Sequence, residues 1–194
     1  MNRSTDPRAV RTRNRLAQAF TAVAGEAPVS VSAIVERAGL NRSSFYAHFD
    51  STSELALYVL EQALIEISVE DLRARTSGAA EGVEASRVVV GRILDQVEGQ
   101  RADLVAVFTS TAGGDARVLF GERIRANLTG YLEVAAPERS SAERATAAVM
   151  VGSGLASAVV AWLLGEIDCS RDDLLDLLVG LVPDWLNGLP RPPR

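Results

Sequence analysis

The stretch Ala38-Gly39-Leu40-Asn41-Arg42-Ser43-Ser44-Phe45-Tyr46-Ala47-His48-Phe49 decides the fold, because it follows a short amphipathic segment, crosses a glycine and contains no acidic residue. Upstream of it, Val31, Ile34, Val35 and Ala38 stand at i, i+3, i+4 and i+7, the apolar stripe of one helix, and Ser30 is placed to cap that helix's first amides. Gly39 ends the helix. Asn41 is placed to cap a second, short one, on which Phe45 and Phe49 lie one turn apart and form the buried stripe. With that stripe inward, a rotation of about 100° per residue sends Ser43 and Ala47 directly outward, with Arg42 and Tyr46 on one flank and Ser44 and His48 on the other. This is a small ridge between two polar flanks. It suits a major groove, where the ridge approaches base edges while hydroxyls, phenol and imidazole reach the phosphate walls.

An ordinary solvated helix could have the same composition, so the flanking sequence carries the distinction. Ahead lies an arginine-rich arm of Arg3, Arg8, Arg11, Arg13 and Arg15, suited to neutralising phosphates and leading into a helix whose Leu16, Ala19, Phe20 and Val23 again show helical spacing. Behind lies Ser51-Thr52-Ser53-Glu54, a capping-box pattern before the apolar run Leu55, Leu57, Leu60, Leu64 and Ile67. A new helix therefore starts just after Phe49, with its first amides available to a phosphate.

From about Arg8 to Leu60 these residues resemble the DNA-binding domain of TetR-type transcriptional regulators, through VSAIVERAGLNRSSFYAHFDSTSEL and the preceding RNRLAQAFTAVA. The GEAP link and NRSSFYAHF look most like the branch typified by the dihydroxyacetone-kinase regulators. The resemblance implies an all-α protein with a three-helix helix-turn-helix head, residues 1–50, and a larger helical body, residues 51–194, that dimerises and holds an inducer. It implies a repressor released from its operator by ligand. Carried over by position, Arg42, Ser43 and Ala47 would face bases, while Arg8, Arg11, Arg13, Ser30, Ser44, Tyr46, His48 and Thr52 would lie along phosphates. Thr52 departs from the pattern, since the family places a lysine there; the chain has no lysine at all.

Charge follows the same division. Residues 1–50 hold seven arginines against four acids, a net of +3, so the remainder carries −8 of the total −5. DNA binding by a chain with a pI near 5.0 has to come from a local basic patch, and salt should weaken it markedly. The 194 residues, 47% of them hydrophobic, suffice for a substantial core. The single Cys169 reads as a small, semi-buried apolar residue, and with no signal-like amino terminus the expected location is the cytoplasm.

Beyond the head, the spacing predicts helices over 51–74, 83–98, 102–111, 115–135, 140–165 and 170–185, with a proline-rich tail over 189–194. Residues 145–165 contain no charge and are long enough to span a membrane. Their alanines, Thr146, Ser153 and Ser157, and an acidic rather than basic residue at the far end, favour a buried helix over a spanning one. On it, Gly152, Gly154, Ala156 and Ala158 permit close approach to a symmetry mate, and Leu174, Leu178, Leu181 and Trp185 on the last helix would complete a four-helix interface between two copies. A homodimer also fits a palindromic DNA operator, because one short helix buries too little surface for useful specificity.

An unidentified small-molecule effector would be lined by Leu104, Phe108, Phe120, Ile124, Leu128, Tyr131 and Trp162, with Arg117, Arg123 or Arg125 available to an anionic group. Ligand binding would then reach the heads through the helix around Leu57 to Ile67. Catalysis is not expected. The only histidine lies on the groove-facing helix, and no metal-ligand cluster, phosphate loop or activated nucleophile is evident, so neither cofactor nor metal is expected. The competing class is a helical adaptor that keeps the fold without specific DNA binding, motivated by Thr52.

Overall fold

A computed structural model of the chain describes residues 6–24, 29–76 and 82–187, excluding the side chains of 66–76, 82, 85 and 187. Arg3, the side chain of Ile67 and the tail at 189–194 lie outside the described residues. Among the described residues there is no strand. The helices are α1 (Pro7–Ala24), α2 (Val31–Ala38), α3 (Arg42–Tyr46), α4 (Thr52–Thr76), α5 (Gly82–Gly99), α6 (Arg101–Phe108), α7 (Gly113–Ala135), α8 (Ser141–Ala147), α9 (Gly154–Leu163), α10 (Arg171–Gly180) and α11 (Asp184–Asn187), with a π-helical turn, Ala148–Ser153, joining α8 to α9.

Packing divides the chain into two compact units, Met1–Ala63 with Ala102–Ala116, and Leu64–Arg101 with Arg117–Arg194. The first unit therefore takes in α6 and the start of α7 as well as α1 to α3 and the first half of α4. Its core holds Leu16, Phe20, Ile34, Phe45, Leu55 and Leu60, all fully buried, together with Leu104, Val107 and Phe108. Asp103 on α6 accepts a 2.5 Å hydrogen bond from the Thr21 hydroxyl of α1, and the hydroxyls of Ser53 and Thr111 lie 3.1 Å apart.

The turn between α2 and α3 has a local cause. Gly39 sits at φ 61°, ψ 40°, where a Cβ costs roughly 1–2 kcal/mol. In that conformation its N–H reaches the Glu36 carbonyl at 3.0 Å and the Leu40 N–H reaches the Val35 carbonyl at 2.8 Å, closing α2 with a Schellman motif. The guanidinium of Arg15 donates to the Ala38 carbonyl at 2.5 Å, so this arginine secures the end of α2 rather than extending the phosphate-facing arm.

The glycines expected to interrupt the chain at 113–114 open α7 instead, and α6 stops at Phe108 rather than at 111. A Cβ on Gly113 would stand 2.3 Å from the Phe108 carbonyl oxygen, so only glycine lets the chain return this tightly over the end of α6. Gly113→Ala must displace backbone rather than a flexible side chain. It is expected to cost about 1–3 kcal/mol, read as a lower urea midpoint at unchanged slope.

In the second unit, α10 packs on α5. Arg171 donates to the Gly91 carbonyl at 2.8 Å and pairs with Asp95, and Arg87 pairs with Asp176 at 2.5 Å. These carboxylates raise the pKa of both guanidinium groups, first through hydrogen bonds with Asp172 for Arg171 and with Asp176 for Arg87. Arg101 lies over the Trp162 ring, 5.1 Å from its centroid, and donates to the Leu163 carbonyl, while the indole N–H bonds the Cys169 carbonyl at 3.0 Å. Gly165, at φ 75°, ends α9 as Gly39 ends α2.

The capping box expected at Ser51 forms by half. The Glu54 N–H bonds the Ser51 hydroxyl at 3.1 Å, but the Glu54 carboxylate accepts from the Asp50 N–H at 2.6 Å, one residue earlier than the reciprocal pattern requires. A complete box opens α8, where Ser140 and Glu143 satisfy each other's amides. The Ser140 backbone N–H, and then its hydroxyl, hold the Glu143 carboxyl below its ordinary pKa.

The continuous helix expected over 140–165 contains the π-turn, and the one expected over 170–185 breaks after Gly180 because Pro183 can neither donate to the ladder nor clear the preceding turn. The π-turn coincides with a close approach of two backbones. A Cβ on Gly152 would sit 3.0 Å from the Arg125 Cα of α7. The wide turn also has a consequence for the surface: Thr146, Met150, Gly154 and Ala158 are spaced by four, a series that spirals about 40° per step round a regular α-helix. With the π-turn between them, all four line one groove. The segment Ser141–Leu163 is long and apolar enough to cross a membrane; its most apolar window has a mean hydropathy of 1.7, and 39% of that window is buried inside the subunit.

Candidate nucleic-acid interface

The surface begins with one amide. Asn41 caps α3, its side-chain oxygen accepting the Ser44 N–H at 2.8 Å, and the same oxygen takes the Ser44 hydroxyl at 2.9 Å and the Ser43 hydroxyl at 2.7 Å. One carbonyl oxygen thus holds Ser43 of the ridge and Ser44 of its flank in place. Phe45 is fully buried and Phe49 nearly so, their rings 6.0 Å apart, and Phe49 continues onto Tyr58 of α4 at 5.4 Å. Tyr58 is fixed in turn by its hydroxyl, 3.2 Å from the Asn14 side-chain oxygen of α1. This aromatic column is what orients α3.

With the column inward, the outward residues are those the spacing predicted. Arg42, Ser43, Tyr46 and Ala47 are exposed, Ser44 and His48 half-buried on the flank. The Tyr46 ring stands edge-on against Phe45, centroids 5.5 Å apart, and remains 55% exposed, so its phenol is directed away from the core by a ring that is anchored to it. Arg42 is exposed but tethered. Its guanidinium donates to the Ser32 hydroxyl of α2 at 2.5 Å, a partner that residue spacing did not identify.

Of the other residues assigned to phosphates, Arg8 and Arg11 are exposed on α1, Arg13 is half-buried, and Thr52 is half-buried at the start of α4. Ser30 is exposed and caps α2, its hydroxyl accepting the Ala33 N–H at 3.3 Å. The structure thus gathers Arg42, Ser43, Ser44 and Tyr46 on α3 and Ala47 and His48 on the turn that directly follows it, so that the helix expected to reach Phe49 ends at Tyr46. Ser30 and Thr52 mark the amino-terminal ends of α2 and α4.

Residues 22–59 match the family described as bacterial regulatory proteins, tetR family. Over that segment the chain is similar to the TetR type. The matched segment contains the whole of α2, α3 and the turn between them, and a larger helical body follows it. Solved structures share the fold across nearly the full length. They include the fatty acid degradation regulator FadR of Bacillus halodurans, at 15% identity, TM-score 0.67, covering 92% of this chain and 96% of that one. The dihydroxyacetone kinase operon activator DhaS aligns at 15% identity and TM-score 0.62, covering 89% and 94%. FadR of Bacillus subtilis, solved in complex with stearoyl-CoA, aligns at 11% identity and TM-score 0.61, covering 89% and 96%. No curated protein matches the chain in sequence.

The effector-lining candidates are distributed over both compact units. Leu104 and Phe108 are buried in the core of the first. Phe120, Ile124 and Trp162 are buried in the second, and Leu128 and Tyr131 pack against a cluster formed by Leu132, Ala136, Ala147, Ala148, Val182 and Leu186. Arg117, Arg123 and Arg125 are exposed.

Of the eight residues expected between subunits, Gly154, Ala158, Leu178, Leu181 and Trp185 line an open, largely apolar groove of 680 Å³ in the second unit. Gly152, Ala156 and Leu174 are buried within the subunit itself, Gly152 against the backbone of α7. At the groove's rim Arg139 lies over the Trp185 ring, 4.1 Å from its centroid, and pairs with Glu143. Among the described residues no group of three or more His, Cys, Asp or Glu is placed to hold a metal ion.

Proposed function

We propose that this protein is a DNA-binding transcriptional regulator of the TetR type, a repressor that binds a palindromic operator as a homodimer in the cytoplasm and is released by a small-molecule effector. The observation that supports it best is the ridge of α3, whose serine hydroxyls and phenol are held outward by Asn41 and by the aromatic column before any DNA is present. Such preorganisation lowers the entropy lost on docking. In this reading residues 1–50, with Thr52 just beyond them, make the DNA contacts and the rest of 51–194 supplies effector binding and dimerisation. Ser43 and Ala47 approach bases, Arg42 reads from the flank, and Ser44, Tyr46, His48, Ser30, Thr52, Arg8, Arg11 and Arg13 lie along the phosphates.

Dimerisation is supported by the groove in the second unit. A hollow floored by Gly154 and Ala158 lies on the same face as Met150, 72% exposed, and Leu181, 79% exposed. A patch that carries both hollow and knob is self-complementary, as a twofold contact requires. For the effector, the apolar character of the candidate lining and the three exposed arginines on α7 favour an apolar molecule with an anionic group.

Selection of bound genomic fragments, followed by salt titration, tests the reading. The expected product is a palindrome. Tyr46→Ala should weaken binding to all sequences alike, whereas Ser43→Ala should relax preference at one base pair per half-site, a discrimination of about 1–3 kcal/mol. Failure of purified protein at low ionic strength to prefer any duplex over random competitor would leave the adaptor reading in its place.

A further inference from the structure

Ser32 is the second residue of α2 and is exposed. Nothing in the helix needs it. The capping role is taken by Ser30, whose hydroxyl accepts the Ala33 N–H and whose carbonyl accepts the Ile34 N–H at 3.0 Å. Serine inside a helix is a poorer choice than alanine by a few tenths of a kcal/mol, because its hydroxyl competes for backbone groups. The interaction that Ser32 does make crosses to the next helix: its oxygen accepts the Arg42 Nη2–H at 2.5 Å.

Arg42 needs such a partner more than its neighbours do. Ser43 and Ser44 have one rotatable hydroxyl each and share Asn41 as their anchor. Arg42 opens α3 on a long side chain that carries about 2 kcal/mol of rotamer entropy when free, and a base contact made by a wandering guanidinium is both weaker and less selective than one made by a guanidinium already held. One N–H given to Ser32 leaves four for nucleic acid. The Ser32 hydroxyl keeps its own proton to donate.

We infer that Ser32 is a positioning residue for DNA reading, holding the Arg42 guanidinium across the α2–α3 turn at the angle from which it meets its base pair. The inference rests on the proposed operator-binding function, and its scope is which residues set base preference. Because Ser32 is exposed and caps nothing, Ser32→Ala leaves the fold intact, and its stability should equal or slightly exceed that of the wild-type chain.

The test is a double-substitution cycle on a selected operator and on a library varied at the base pair whose preference Arg42→Ala relaxes. Ser32→Ala should lower operator affinity about three- to tenfold and flatten preference at that same base pair. Ser32→Thr, which keeps the hydroxyl, should restore both. In the Arg42→Ala background, Ser32→Ala should have no further effect. Equal, additive losses in both backgrounds would make Ser32 an independent phosphate contact and overturn the inference, as would unchanged preference in Ser32→Ala. An absence of operator binding by the wild-type chain would instead refute the proposed function.

Discussion

Phe45→Ala is expected to remove about 3–5 kcal/mol of stability and with it all specific DNA binding. Phe45 has no solvent exposure, and its ring sits between Tyr46 and Phe49 in the column that continues to Tyr58. Alanine there leaves a cavity that cannot close by local adjustment, because α3 spans only five residues and is pinned at both ends, by the Asn41 cap and by the Phe49 N–H on the Phe45 carbonyl at 2.9 Å. An isolated helix of that length is far too short to persist in water, so its orientation depends on the aromatic contacts. Urea unfolding and operator titration measure the two effects. Phe45→Leu should recover much of the stability while leaving operator affinity reduced, since Leu fills volume without supporting the Tyr46 ring. A midpoint within error of the wild-type value for Phe45→Ala would show that something other than this column holds α3.

The residues of this head were legible in the sequence because their causes are local. Ser30, Gly39 and Asn41 act on amides and carbonyls within three to five positions of themselves, and the spacing of Phe45 and Phe49 fixes the outward set without reference to the rest of the chain. What the spacing could not reveal arises from contacts distant in sequence. Arg15 reaches the end of α2 across 23 positions, and Arg42 reaches Ser32 across 10. In both cases a cation that looks free in a list of residues is committed in space.

The body shows the same limit in its backbone. Gly113 and Gly114 resemble a helix break and open a helix, because the deciding fact is a carbonyl five residues earlier lying in the path of any side chain at 113. The π-turn has no signature in hydropathy; it falls where Gly152 lets the chain press on Arg125 of α7. Its effect on residue spacing is nonetheless visible in retrospect. A series of four positions, Thr146, Met150, Gly154 and Ala158, is out of step with an α-helix yet shares one groove. Of the interface expected from small residues, Gly152 and Ala156 are occupied within the subunit, since a glycine or alanine that permits close approach does not state whose backbone approaches.

The groove makes the second large effect specific. On the proposed homodimer, Leu181→Glu is expected to leave the protein a monomer and to lower affinity for a two-half-site duplex by about 100-fold or more. Leu181 is 79% exposed in the single chain, so a carboxylate there is solvated and the subunit keeps its fold; the charge becomes costly only when a second copy covers it. Loss of pairing then acts on DNA through effective concentration, because the second head no longer arrives tethered to the first. Val118→Glu serves as the control: Val118 is 62% exposed on α7 and does not line the groove, so the same charge there should leave both assembly and operator affinity unchanged. Sedimentation gives the mass. Titration on duplexes with one and two half-sites gives the coupling, which should vanish in Leu181→Glu, where both duplexes bind equally and at the affinity of a single head. A dimeric Leu181→Glu with wild-type operator affinity would place the subunit contact elsewhere on the body, and the self-complementary groove would then have to serve some other occupant.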